Sequence, residues 1–201
     1  GFIPWDDDVD IGMMRSEYNK FLTICGDELP RELFLQTFES DKNYVNSFAK
    51  LRLNGTDYPE PANKDLLCHK GICIDIFPFD HTPNNCFLRK IHKFKLLTLQ
   101  QMCLIKSGYI TNIFTLKGKA FHLGLQCFSK IFSKDQLIKM REHLFQKHNK
   151  NYTGFYINGS LCCYPAEIFE QFSELEFEGI KFPVPAGYTT YLECAYGDYM
   201  H

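Results

Sequence analysis

The sequence contains no run of about 18 apolar residues, the length a helix needs to cross a bilayer, so no membrane-spanning helix is expected. It also lacks any CxxC pair, although it carries nine cysteines, an odd number. Small disulfide-stapled scaffolds are shorter and denser in cysteine, so these residues read as free thiols in a reducing compartment. Cys68-His69 with Cys73, and the adjacent Cys162-Cys163, have no recognisable zinc-ligand spacing. Three Asn-X-Ser/Thr sites, at Asn54, Asn151 and Asn158, would accept glycans only in a secretory compartment. Internal repeats and low-complexity linkers are missing, and 201 residues suffice for a sizeable core, so a single domain over 1–201 is expected. The chain begins with Gly1 rather than Met, inside a motif, and reads as lacking its natural N-terminus.

Charge of one sign is missing locally rather than globally. The formal net charge is only −2, yet residues 85–150 hold 13 Lys and Arg against 2 Asp and Glu. The remainder holds 9 basic and 22 acidic residues. Two opposed blocks speak to partners rather than to fold. The basic block predicts contact with anionic lipid or a phosphorylated acceptor. Nucleic acid is not expected as a partner, because no DNA- or RNA-binding module accompanies the charge.

The acidic stretch GFIPWDDDVDIGMM, residues 1–14, organises the rest. As a strand it places Asp6, Asp8 and Asp10 on one face and Val9, Ile11 and Met13 on the other. As a helix it would form no apolar stripe, so the strand reading is preferred. Same-face neighbours in a strand lie about 7 Å apart, and at an effective dielectric near 20 each pair repels by about 2 kcal/mol. A half-buried acidic row therefore calls for raised pKa values or a bound cation. Oxygen-only donors point to Mg²⁺ or Mn²⁺ rather than zinc. A solvated acidic loop is the plainer alternative. An EF-hand is disfavoured, because Ile11 stands where the loop needs Gly and Pro4 where the entering helix should be.

Further along, Arg15 to Leu29 has helical spacing, with Ser16 as N-cap and Pro30 as the stop. Glu32 to Phe38 and Tyr44 to Leu53 read as strands, the second with Lys50 and Arg52 on one face. Gly71 to Phe77 reads as a buried strand ended by Pro78, with Asp80 capping the turn that follows. Asp75 is a lone carboxylate in that apolar run, expensive unless paired or metal-bound, and so the natural partner of the acidic row. Three helices are expected near 87–106, 114–132 and 134–148, the last capped by Ser133. Beyond them lie a strand at 155–161, a hairpin around Glu178-Gly179 and a short helix at 189–196.

GFIPWDDDVDIGM followed by an amphipathic helix resembles the signature of the LicD family of phosphocholine transferases, and more distantly the fukutin-related phosphoribitol transferases. SFAKLR at 47–52, GICIDIFPFD at 71–80 and FEGIKFPVPAGYTTYLECAYGDYM at 177–200 match in the same order. The resemblance implies an α+β fold, a nucleotidyltransferase-like mixed sheet flanked by helices, here with a basic helical insertion. It implies a metal-dependent transferase that moves phosphocholine from CDP-choline to a hydroxyl of a lipid-linked cell-surface glycan of lipopolysaccharide or teichoic acid type, releasing CMP. Asp8, Asp10 and Asp75 would be catalytic, and with Asp6 would bind Mg²⁺ or Mn²⁺. Lys50 and Arg52 would contact phosphate. CDP-ribitol or another CDP-alcohol is the alternative donor, and a non-catalytic cation-binding module the alternative of another class. The expected location is the cytoplasm, at the inner membrane face, or the Golgi lumen in a fukutin-like setting.

Overall fold

The apolar half of the acidic stretch forms a strand shorter than its pattern. A computed structural model describes residues 8–109 and 116–199 and begins β1 at Asp10, ending it at Met14. Asp8 leads into this strand, and Asp6 lies outside the described residues. β1 pairs in parallel with β4 (Cys73–His81), Asp10 opposite Asp75 and Met14 opposite Phe79. β4 also pairs antiparallel with β3 (Ala49–Leu53), which pairs with β2 (Leu33–Gln36). Its last residues pair with β5 (Phe155–Ile157), and β5 with β6 (Cys163–Pro165). One parallel contact in an otherwise antiparallel six-stranded sheet makes it mixed, and with its helices the fold is α+β.

Pro78 does not end β4. It falls between the residues paired to β3 and those paired to β5, where a missing N–H costs little, and the strand runs on to His81. Asp80 is consequently a buried strand residue rather than a turn cap. The expected strand at 44–53 shrinks to β3, because Tyr44 and Val45 are buried among other elements instead of pairing in the sheet.

Alternation along β4 assigns the two faces of the sheet. Ile74 and Ile76 point to one side, where α1 (Arg15–Glu28) lays Tyr18, Phe21 and Leu22 over Ala49, Leu51 and Ile76. β1 runs straight into α1, so Met14 occupies the cap position and Ser16 does not cap the helix. On the same side Arg15 forks onto Asp80, its Nε donating at 2.8 Å and a terminal nitrogen completing the pair. Asn149 adds a third donor to that carboxylate at 2.6 Å.

The basic segment supplies α2 (Cys86–Lys106), α3 (Leu116–Ser129) and α4 (Lys134–Gln146). Met102, Cys103, Leu125, Leu137 and Ile138 form their shared core. Ser133 caps α4 in a full capping box, accepting from the Gln136 N–H at 3.1 Å while the Gln136 side chain accepts from the Ser133 N–H at 2.8 Å. β7 (Phe172–Phe177) and β8 (Ile180–Pro185) form a separate hairpin. Its turn has φ of 51° at Glu178 and 76° at Gly179, the two positive values a type I′ turn needs. α5 (Tyr188–Tyr196) follows. No helix among the described residues is long and apolar enough to cross a membrane.

Candidate active site

The odd-numbered side of β4 carries the polar chemistry. Registered neighbours on adjacent strands share a face, so the pairings Gln36–Lys50, Lys50–Asp75 and Asp75–Asp10 draw one polar row across β2, β3, β4 and β1. Lys50 Nζ donates to Asp75 Oδ2 at 3.1 Å and to Glu60 Oε1 at 2.8 Å, and lies 2.9 Å from Asp75 Oδ1. Its ammonium also lies 5.6 Å from the centre of the Phe48 ring.

Burial pushes the Asp75 carboxyl above the ordinary aspartate range, Lys50 opposing the rise while Glu60 and Asp8 add to it. For Lys50 burial disfavours the charge, yet Asp75 and Glu60 outweigh it and hold the ammonium above its usual pKa. Both members of the pair are therefore held by mutual attraction in a place that charges each of them for losing water.

Asp8 and Asp10 are exposed at the edge of this row, Asp10 beside Asp75 by register and Asp8 near enough for its charge to act on Asp75. The oxygen-only donors suit a hard divalent cation. Among the described residues no group of three or more carboxylate, His or Cys side chains converges on a single metal position. The structure thus brings Asp10, Asp75 and Lys50 together and places Asp8 alongside.

Arg52 has a different environment. It is fully buried, donates to Gln36 Oε1 and to the Gly71 carbonyl at 2.6 Å, and lies 3.5 Å from Glu60. These bonds tie the irregular segment before β4 to the sheet. Gly71 suits that junction, since a Cβ there would stand 2.3 Å from the Leu53 carbonyl oxygen.

Glu60 was not foreseen from the sequence. It comes from a Pro-flanked loop, without periodicity, yet it bridges Lys50 and Arg52 and takes a 3.0 Å bond from Asn63. Equally unforeseen is a cavity of about 70 Å³ opening beside Asp10, walled by Phe77, Tyr164, Tyr191 and Tyr196, with Asn158 at its edge. A space of this size is too small for a whole nucleotide. Tyr164 and Tyr191 stack at 4.6 Å with planes 10° apart, and Phe79 and Phe169 pack behind them. Residues 189–196 were legible as a short helix, but nothing local to them indicated that α5 would lie beside Asp10.

An acidic strand register beside a buried lysine, on a mixed sheet, agrees with the family match. Residues 1–102 match the model of the LicD family, described as LicD/FKTN/FKRP, nucleotidyltransferase domain. The chain belongs to this family, and it is a phosphotransferase. Its full length is 28% identical, over 224 aligned residues, to the lipopolysaccharide cholinephosphotransferase LicD of Haemophilus influenzae, 76% of which is covered. No solved structure matches the chain.

Proposed function

We propose that this chain transfers phosphocholine from CDP-choline to a hydroxyl of a lipid-linked glycan of lipopolysaccharide type, releasing CMP. The observation that carries the reading is the row Asp10–Asp75–Lys50 ending at an aromatic-walled cavity. Phosphoryl transfer needs positioning and charge stabilisation more than covalent chemistry, and this row offers both signs of charge at one place. Asp8, Asp10 and Asp75 would hold Mg²⁺ or Mn²⁺, with Asp6 as a further ligand. Bound there, the ion would neutralise phosphate charge and polarise the acceptor oxygen.

The protein's own groups divide the remaining work. Asp75, with its raised pKa, accepts the proton as the acceptor oxygen attacks phosphorus. The bond from phosphorus to the bridging oxygen breaks, and CMP leaves with the electron pair. Lys50 orients Asp75 and offers positive charge to the phosphate oxygens, while Arg52 keeps Gln36 and the Gly71 segment in place. Phe77, Tyr191 and Tyr196 present aromatic surface beside Asp10, which suits a quaternary ammonium. This is the reason for preferring choline over another alcohol.

Isothermal titration of CDP-choline, CDP-ribitol and CTP, with and without Mg²⁺, tests the reading. Mg²⁺-dependent binding selective for CDP-choline, lost in Asp8→Asn, is expected. Selective binding of CDP-ribitol would keep the mechanism and change the substrate. Cation binding with no nucleotide binding would replace the enzyme with the cation-binding module.

A further inference from the structure

We infer that the outer face of α2, with the adjoining edge of α3, docks on an anionic phospholipid bilayer. α2 is apolar on two sides. Its inner side buries His92, Leu96 and Cys103, whereas in its first turns Phe87, Leu88, Ile91 and Phe94 face outward at 70, 53, 36 and 57% exposure. Phe87, Ile91 and Phe94 follow the i, i+4, i+7 spacing of a single helical line, and Lys90 and Lys95 flank it. The Phe94 ring meets Phe121 of α3 at 6.3 Å, and α3 extends the apolar surface to the exposed Phe128. Scattered surface apolar residues are ordinary, but a continuous line of large side chains across two helices is an interaction surface.

Charge selects the occupant. From residue 81 to 134 the sequence holds nine Lys and Arg and no Asp or Glu. A second copy meeting this face through the same surface would set basic residue against basic residue. A nucleic-acid duplex would use the cations and leave the phenylalanines without a role. An anionic bilayer takes both, the phenylalanines entering the acyl boundary and the lysines meeting the phosphate headgroups. The surface is independent of which alcohol the enzyme transfers, so its failure would leave the nucleotide titration above unaffected.

The test is vesicle co-sedimentation with phosphatidylcholine alone and with about one third phosphatidylglycerol. The parent chain should sediment with the anionic vesicles and far less with the neutral ones. Phe87→Ser/Phe94→Ser and Lys90→Glu/Lys95→Glu should each weaken binding about tenfold or more while leaving the thermal transition in place. In Phe94→Trp, vesicles should shift the emission to shorter wavelength by more than in the parent. No sedimentation of the parent with anionic vesicles overturns the inference. So does full retention of binding in Phe87→Ser/Phe94→Ser, which would leave a purely electrostatic contact. A dimer in sedimentation velocity that this double variant dissolves, in a parent that does not bind vesicles, would assign the face to a second copy.

Discussion

At the scale of single residues, Asp75 and Asp80 sit five positions apart on one strand and face opposite ways. Asp75 shares its charge with Lys50 on the open side, while Asp80 is fully buried under Arg15 and Asn149. Their substitutions should separate function from stability. Asp75→Asn keeps the volume, and Lys50 keeps Glu60 as a partner, so the melting temperature should move by only a few degrees while kcat falls by about 10³-fold or more. Steady-state CMP release and calorimetry on the same preparation check both halves. Asp80→Ala strips the buried Arg15 guanidinium of its hydrogen-bonded carboxylate, leaving only Glu142 at 3.9 Å, and should cost about 3 kcal/mol in urea unfolding. The sequence singled out Asp75 as a lone carboxylate in an apolar run and Asp10 as part of an acidic row, whereas Lys50 was marked by the family resemblance. It could not single out Glu60 or Gln36, whose importance comes from neighbours distant in the chain.

At the scale of elements, two local devices hold the site in position. Gly12 lies under the Phe79 ring, which would be 2.4 Å from a Cβ there, so β1 reaches β4 only because this residue has no side chain. Gly12→Ala should destabilise by about 1–3 kcal/mol through overpacking and disturb the Asp10–Asp75 register beside it, lowering turnover as well as the unfolding midpoint. The capping box at Ser133 acts on the helical segment alone. Ser133→Ala should cost about 1 kcal/mol in chemical denaturation and leave nucleotide affinity unchanged. Ser133 was legible because a serine followed three residues later by Gln marks a helix start. Ser16, with Asn19 rather than Gln three residues on, does not cap, because β1 leads directly into α1 and the helix already begins at Arg15.

At the scale of the whole molecule, the helical segment must fold onto the sheet around a buried histidine. His92 lies in α2, beside His148 at 5.1 Å, and burial together with His148 and Lys147 lowers its pKa to about 4. The unfolded chain therefore binds a proton at this site between about pH 6.5 and pH 4 that the folded chain refuses. Stability from this residue is complete above pH 6.5 and is lost as pH falls through the window, by roughly 2 kcal/mol once partial solvent access is allowed for. His92→Leu should flatten that part of the curve of melting temperature against pH. A curve of unchanged slope would show that another group is responsible.

Local order was written in the sequence. Alternation places Asp10 and Asp75 on strands, Glu178-Gly179 makes a hairpin, and apolar spacing makes the helices, because these depend on backbone sterics and on residues a few positions apart. Tertiary packing decided the rest. The register that sets Asp10, Asp75 and Lys50 side by side joins three strands far apart in the chain, and α5 reaches Asp10 only by folding back from residue 188. α2 has apolar residues on both sides, so periodicity had no means to choose between them. Packing against the neighbouring elements took the side of Leu96 and Cys103 and left Phe87, Ile91 and Phe94 outward. A helix shows which of its residues could be buried, but which of them are buried depends on the surfaces its neighbours leave open.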